Sequence, residues 1–457
     1  MLQTESQKVI DFQSLKDNIG RFNLSRSNKT ILIPEMNRIG SHMLAATFRG
    51  FGIQSVVMDT FKGLELGKAY TSGKECYPCQ ITIGDILYYL KQEQKRLGDR
   101  FNANTYIYFM PEAGGPCRFG MYNKYQRIVL DSFPDLRAVK IGSLTTTDGY
   151  SLNGMVDDMQ ASNLRKAGYL SVVVSDILDR LLWRIRPYEK EKGMADDFIE
   201  TSMREMEKCF ETYGVCKQFD KILDVLERII QKSKAIMDPE VPEKPLIGVV
   251  GEIYLRSHVH ANQNLLRVLE NHGAEIVNAS IAEWVNFTTY ERLRDAKTGL
   301  RFSLKQFRIN DIKDHLKNMV HFAGDLLYQQ AKQGQVYKRV KSILNLEKDH
   351  KIKELENVLK KNNLFSFDVG TEACLSIAGI WQYAKDGFNG VVNVYPFTCM
   401  PSTITSAVIK PLMNDLGVPY LDTPYDSSFQ PGREAAIRTF MYQAYQHFNR
   451  NGRQQHH

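Results

Sequence analysis

Residues 30–59, TILIPEMNRIGSHMLAATFRGFGIQSVVMD, decide the fold. TILIP is a short apolar run stopped by Pro34, the pattern of a buried strand. Ile39, Met43, Ala46 and Phe48 then recur at helical spacing until Gly52 stops the pattern. QSVVMD reads as a second strand. Strand, helix, strand is the unit of a parallel sheet and puts the chain in the α/β class. Outward from it, residues 81–97 read as a helix, 105–111 (TYIYFMP) as a third strand, 122–131 as a helix and 136–141 as a fourth strand. Residues 238–245 (DPEVPEKP) are Pro-rich and charged, a linker signal. Beyond them the opening is echoed: strand 246–250, helix 262–272, strand 275–278. The expected organisation is an arm at 1–28, a first α/β domain at 29–150, a helical segment and linker at 151–240, a second α/β domain at 241–450 with a helical insertion at 303–361, and a tail at 451–457.

Composition narrows the function. The chain has 457 residues, 43% hydrophobic and 24% charged, with a net charge of +7. No Lys/Arg block stands out, and the Lys-rich run 348–361 alternates with Glu and Leu like a solvated helix, so nucleic-acid binding is not expected. No apolar run reaches membrane-spanning length, and the first residues lack a signal-peptide pattern. The seven cysteines are an odd count, which argues against a disulfide framework and for a reducing, cytoplasmic location.

Three stretches hold the chemistry: residues 71–84 (TSGKECYPCQITIG) with Cys76 and Cys79, 114–120 (GGPCRFG) with Cys117, and 395–402 (YPFTCMPS) with Cys399. Each places a Cys beside Pro where an apolar run ends or a helix begins. In open α/β sheets ligands sit at the carboxyl ends of strands. Thiolates from such loops can hold an iron–sulfur cluster, with Cys79 as a fourth ligand or with one iron left open. Cys76-x-x-Cys79 also fits a dithiol redox site or half of a zinc site. His258 and His260 read as loop histidines, and Cys209 and Cys216 as isolated helical cysteines. Lys74, Glu75 and Arg118 adjoin the motif cysteines and are candidates to surround a cluster; Lys74 and Arg118 could offset its negative charge. Glu252, Tyr254 and Arg256 follow the first strand of the second half. Glu252 is a candidate proton carrier, Arg256 a candidate anion binder, and His42, at the start of the first helix, a further catalytic candidate.

Five ordered blocks carry a resemblance: IPEMNRIGSHMLAATFRGFG, SGKECYPCQITIGDILYYL, MPEAGGPCRFGMYNKYQRIVLDSF, GEIYLRSHVHANQNLLRVLENHGAEI and NGVVNVYPFTCMPSTITSAVIKPL. Together they resemble the 2-hydroxyacyl-CoA dehydratase superfamily, nearest its activase-related branch, often labelled CoA protein activase. The likeness runs from about residue 31 to 441, helical insertions excluded. It implies two Rossmann-like domains with a 4Fe-4S iron–sulfur cluster between them, bound by three cysteines with the fourth iron open. The matching positions are Cys76 in preference to Cys79, Cys117 and Cys399. A double-cubane version would need about six thiolates, more than these loops supply. The resemblance also implies an ATP-hydrolysing activator that delivers low-potential electrons, a setting in anaerobic metabolism, and a homodimer or heterodimer. The chain has no GxxxxGKS or GxxxxGKT phosphate loop, so it is expected to accept electrons and to bind no ATP itself. Two functions follow. One is an enzyme, a dehydratase (lyase) or an ATP-dependent reductase, using the open iron on a small substrate; in the family this is radical elimination from a 2-hydroxyacyl-CoA. The other is a non-catalytic electron-transfer or scaffold component. A fourth thiolate would favour the second.

Overall fold

Among the described residues nine strands make two sheets, and every strand pairing within them is parallel. The computed structural model describes residues 12–24 and 28–453. The first sheet holds β1 (Ile19–Gly20), β2 (Thr30–Ile33), β3 (Ser55–Val57), β4 (Tyr106–Phe109) and β5 (Lys140–Gly142), in the order β1-β5-β4-β2-β3. The second holds β6 (Leu246–Gly251), β7 (Glu275–Asn278), β8 (Gly390–Pro396) and β9 (Tyr420–Tyr425), in the order β7-β6-β8-β9. The α/β class expected from the sequence is the class observed.

The two sheets share one topology. Counting strands from β2 in the first and from β6 in the second, each runs second, first, third, fourth. The chain therefore reverses direction across the sheet between β2 and β4, and again between β6 and β8. The crevice outside the strand ends at such a reversal is where parallel sheets bind ligands. β6 is buried along its whole length, as expected of a strand covered on both faces.

Helices fill the space between and behind the sheets. The helix Asp158–Ile185 packs with Met194–Tyr213, Phe219–Ser233 and Ile309–Lys341 in one core that also takes in Ile39 and Met43. A second core joins the halves directly: Leu64, Tyr77 and Ile81 of the first pack with Ile247, Val249 and Val394 of the second. The helix Tyr77–Leu97 is set close against Leu64–Ala69, because a Cβ on Gly84 would stand 2.2 Å from the Gly63 carbonyl oxygen and one on Gly67 1.9 Å from that of Gln80. Only glycine permits that approach.

Three boundaries differ from those expected. β1 lies inside the stretch read as an arm and forms an edge of the first sheet; two residues are too few to show a period. The helical insertion starts earlier than 303, since the helix Ile281–Lys305 runs unbroken across that position. Cys79 is not in a loop, because the helix begins at Tyr77. Residues 1–11 and 25–27 of the expected arm and 454–457 of the expected tail lie outside the described residues.

Candidate functional site

Where the carboxyl ends of the two sheets face each other, a cleft of about 260 Å³ opens. Its wall takes residues following β2, β4, β6 and β8, and Cys76, Cys117 and Cys399 all line it. Each of the three stands at the residue just before a helix: Cys76 before Tyr77–Leu97, Cys117 before the short turn Arg118–Met121 that leads into Tyr122–Asp131, and Cys399 before Met400–Leu416. None of these helix starts is closed by a side-chain cap. Free N–H groups and the positive end of the helix dipole are thus left beside each thiol, which favours negative charge there.

Local backbone explains the placement. Pro78 and Pro401 sit in the first turns of their helices, where the missing N–H costs nothing and the fixed φ suits helix. Cys76 has φ 105° and Thr398 φ 64°, left-handed values that cost non-glycine residues on the order of 1–3 kcal/mol each. Arg118 ties the three segments together. Its guanidinium donates to the Lys74 carbonyl beside Cys76 and, at 2.9 Å, to the Thr398 carbonyl beside Cys399, while Arg118 itself adjoins Cys117.

Burial pushes the Cys76 thiol up to about 12, and Glu252 adds to it; a hydrogen bond from Tyr122 and the charge of Arg118 oppose the rise. Cys117 is likewise held at about 12 by burial and Glu372, against a hydrogen bond from the Phe119 backbone N–H. Cys399 reaches about 12 through burial, Glu372 and Glu252, with backbone and hydroxyl of Ser402 opposing. Without a cation the three are neutral thiols. A bound metal would invert this, since a coordinating thiol is deprotonated outright.

Two acidic side chains share the cleft with the thiols. Glu252 precedes the helix Ile253–Ser257 and accepts from the N–H groups of Tyr254 (3.2 Å) and Leu255 (2.8 Å). Glu372 opens the helix Glu372–Lys385 and accepts from the Ile253 N–H at 3.2 Å. Both line the cleft. Burial raises the affinity of both for a proton, and the nearby Glu372 raises that of Glu252 further. The pair therefore keeps a proton more readily than an isolated Glu. The turn that aims Glu252 depends on Gly251, at φ 116°, where a Cβ would lie 2.1 Å from the Val394 carbonyl oxygen.

Several expected positions fall elsewhere. Cys79 is fully buried in the first-half core beside Ile83 and Leu87 and does not line the cleft. Arg256 is buried behind the carboxylates; its guanidinium donates to the carbonyls of Gly251 (2.9 Å) and Ser280 (3.1 Å), so it braces the strand end and does not meet an anion in the cleft. His42 faces the helix Met194–Tyr213, with Nδ1 3.1 Å from Glu207 Oε1, outside the cleft. Glu75 folds back onto the Ser72 N–H and hydroxyl, and Lys74 contributes its carbonyl to the Arg118 tie. Cys209 is buried in the helical core and Cys216 is exposed, both away from the cleft. His258 is buried between the halves: Nδ1 accepts from the Ala261 N–H and Nε2 meets the Thr60 hydroxyl at 2.8 Å, which in turn donates to Asp85 at 2.7 Å. Sequence reasoning missed Glu372 and Tyr122. Tyr122 directly follows the GGPCRFGM run and was within reach; Glu372 follows no strand.

Among the described residues no three His, Cys, Asp or Glu side chains gather closely enough to hold a single metal ion. The three thiols line one cleft, each from a separate segment of the chain. Their chemistry suits an iron–sulfur cluster: soft donors, N–H groups aimed at sulfur, and one cationic side chain at hand. No protein-family model matches this chain, and no curated protein matches it.

Proposed function

We propose that this chain is an iron–sulfur protein of two Rossmann-like units. Cys76, Cys117 and Cys399 hold a 4Fe-4S cluster in the cleft and leave one iron free for a small substrate. The observation that carries the reading is the convergence of three thiols, each at the uncapped start of its own helix, on one cleft between two matching sheets. When bound, the cluster supplies one-electron chemistry and a Lewis-acidic iron. The protein supplies the setting. Helix N-termini and the N–H groups of Phe119 and Ser402 stabilise thiolate charge. Arg118 fixes the three loops relative to one another. Glu252 and Glu372 keep a proton at a carboxylate oxygen beside the cleft, ready for a substrate that gains negative charge on reduction. Ile33, Phe109, Met110 and Trp284 give the cleft apolar walls that limit water.

The resemblance of the five sequence blocks supports electron delivery by a separate ATP-hydrolysing activator, in a reducing cytoplasm, and chemistry of the dehydratase or reductase kind, with a 2-hydroxyacyl-CoA as one substrate class. The burial of Cys79 favours an open iron over a closed, electron-transfer site. The test is spectroscopic. Cyanide added to dithionite-reduced protein is expected to change the EPR spectrum of the cluster by binding the open iron. An unchanged spectrum at saturating cyanide would instead support the electron-transfer or scaffold role.

A further inference from the structure

The hairpin of the helices Ile281–Lys305 and Ile309–Lys341 is held from inside by Leu293, Phe322 and Leu326. A second apolar stripe on the same hairpin faces outward. Ile309, Leu316, Val320 and Leu327 are exposed, from 47% at Leu316 to 69% at Ile309. At 3.6 residues per turn all four fall within about 20° of one line along the helix. With Lys313, and with the half-buried Ala323 that also borders the inner cluster, they follow steps of four and three through six consecutive positions, which is the seam of a coiled coil, roughly 27 Å long at 1.5 Å per residue. At its end Phe307, in the turn of the hairpin, is 88% exposed. Gly324 lies beside the seam, and a Cβ there would meet nothing. A glycine inside a helix costs about 1 kcal/mol against alanine. Packing within the chain gives no reason for it, whereas a second helix could close in on that side.

We infer that this seam docks an amphipathic helix of a partner protein whose flanks are acidic. Charge selects that occupant. Lys313 sits in the seam and Lys317 on its rim; both are exposed, and neither makes an ion pair among the described residues. The acids of this helix are turned away or engaged: Asp311 and Asp314 lie roughly 140–160° round the helix from the seam, and Asp325 is paired with Arg165 and His321. A second copy is disfavoured. A parallel pair would set Lys313 against Lys313, and an antiparallel pair using the whole seam would set Lys317 against Lys317. An apolar partner helix carrying Glu at those facing positions meets both lysines with opposite charge and leaves the apolar seam covered. This inference stands apart from the cleft and its proposed cluster.

The test uses the full chain and two labelled synthetic helices of about three heptads, identical in their Leu/Val seam, one with Glu and one with Lys at the flanking positions. Fluorescence anisotropy is expected to show the Glu helix binding at least about tenfold more tightly than the Lys helix. Leu316→Asp combined with Val320→Asp should weaken it by a similar factor or more, and Lys313→Glu with Lys317→Glu should reverse the preference. These positions are exposed, so the variants should keep the thermal midpoint of the parent. Equal binding of both helices, or binding indifferent to the seam variants, overturns the inference. So does sedimentation showing a dimer of the parent that Leu316→Asp dissolves, which assigns the seam to a second copy. Binding to phosphatidylserine vesicles that Phe307→Ser and Leu316→Asp abolish, with no binding of the Glu helix, assigns it to a lipid surface.

Discussion

The two sheets follow the same strand order, yet their loops carry different chemistry. The first half brings Cys76, Cys117 and the cationic Arg118; the second brings Cys399 and the carboxylates Glu252 and Glu372. Cys117, Cys399 and Glu252 follow strands β4, β8 and β6, whereas Cys76 and Glu372 open helices that follow no strand directly. A shared scaffold thus fixes where side chains gather, and the loop residues decide what they do there. Because the thiols come from both halves, the site exists only when the sheets are held face to face.

The largest expected effect breaks that partnership. Cys76→Ser, Cys117→Ser and Cys399→Ser should each lower iron from about four per chain to less than about one, while Cys79→Ser keeps it. Iron retained in Cys399→Ser would show the first half holding the group unaided, and the contrast between the halves would fail.

The carboxylates sharpen the contrast from the other side. Glu252→Gln and Glu372→Gln should leave iron content unchanged. Reduction adds negative charge beside the pair and tightens its hold on a proton, so the potential of the parent should fall as pH rises, by up to about 59 mV per pH unit. The double variant should flatten that slope in potentiometric titration.

The joint between the halves makes a third prediction. Burial raises Asp85 from an ordinary 3.8 to about 7, and burial lowers His258 from an ordinary 6.5 to about 3. The contribution of Asp85 is complete below its unfolded value and lost as pH rises towards 7. That of His258 is complete above 6.5 and lost as pH falls towards 3. Between about pH 4 and 6.5 the two nearly cancel. Relative to the parent, Asp85→Asn should therefore gain stability as pH rises through this window, and His258→Asn should lose it, each by on the order of 3 kcal/mol overall. Urea unfolding of the metal-free protein at several pH values measures both.

The smallest expected effect concerns how the first half aims its thiol. Gly84→Ala forces the helix Tyr77–Leu97 away from Gly63 and should cost about 2 kcal/mol, seen as a lower thermal midpoint, with Cys76 displaced from the cleft.

Much of this was legible in the sequence. Apolar runs ended by Pro or Gly marked most strands, and the strand-end rule pointed to Cys117, Cys399 and Glu252. Cys76 and Cys79 show where reading by motif fails. They share one CxxC, but Cys79, Ile83, Ile86 and Leu90 repeat at helical spacing and turn inward together, whereas Cys76 stands before the helix. That period was present in the residues. The fates of His42 and Arg256 were not, because Glu207 and the Ser280 carbonyl reach them only through tertiary packing. Glu372 starts a helix after a loop, away from any strand end, and only the folded chain brings it beside Glu252.

The most direct measurement is the iron and acid-labile sulfide content of the chain purified without oxygen, with EPR after reduction. The account predicts about four irons and four sulfides per chain and a signal from a reduced cubane. Absence of iron from every anaerobic preparation and after attempted reconstitution, with Cys76, Cys117 and Cys399 all open to alkylation once the chain is unfolded, would contradict it.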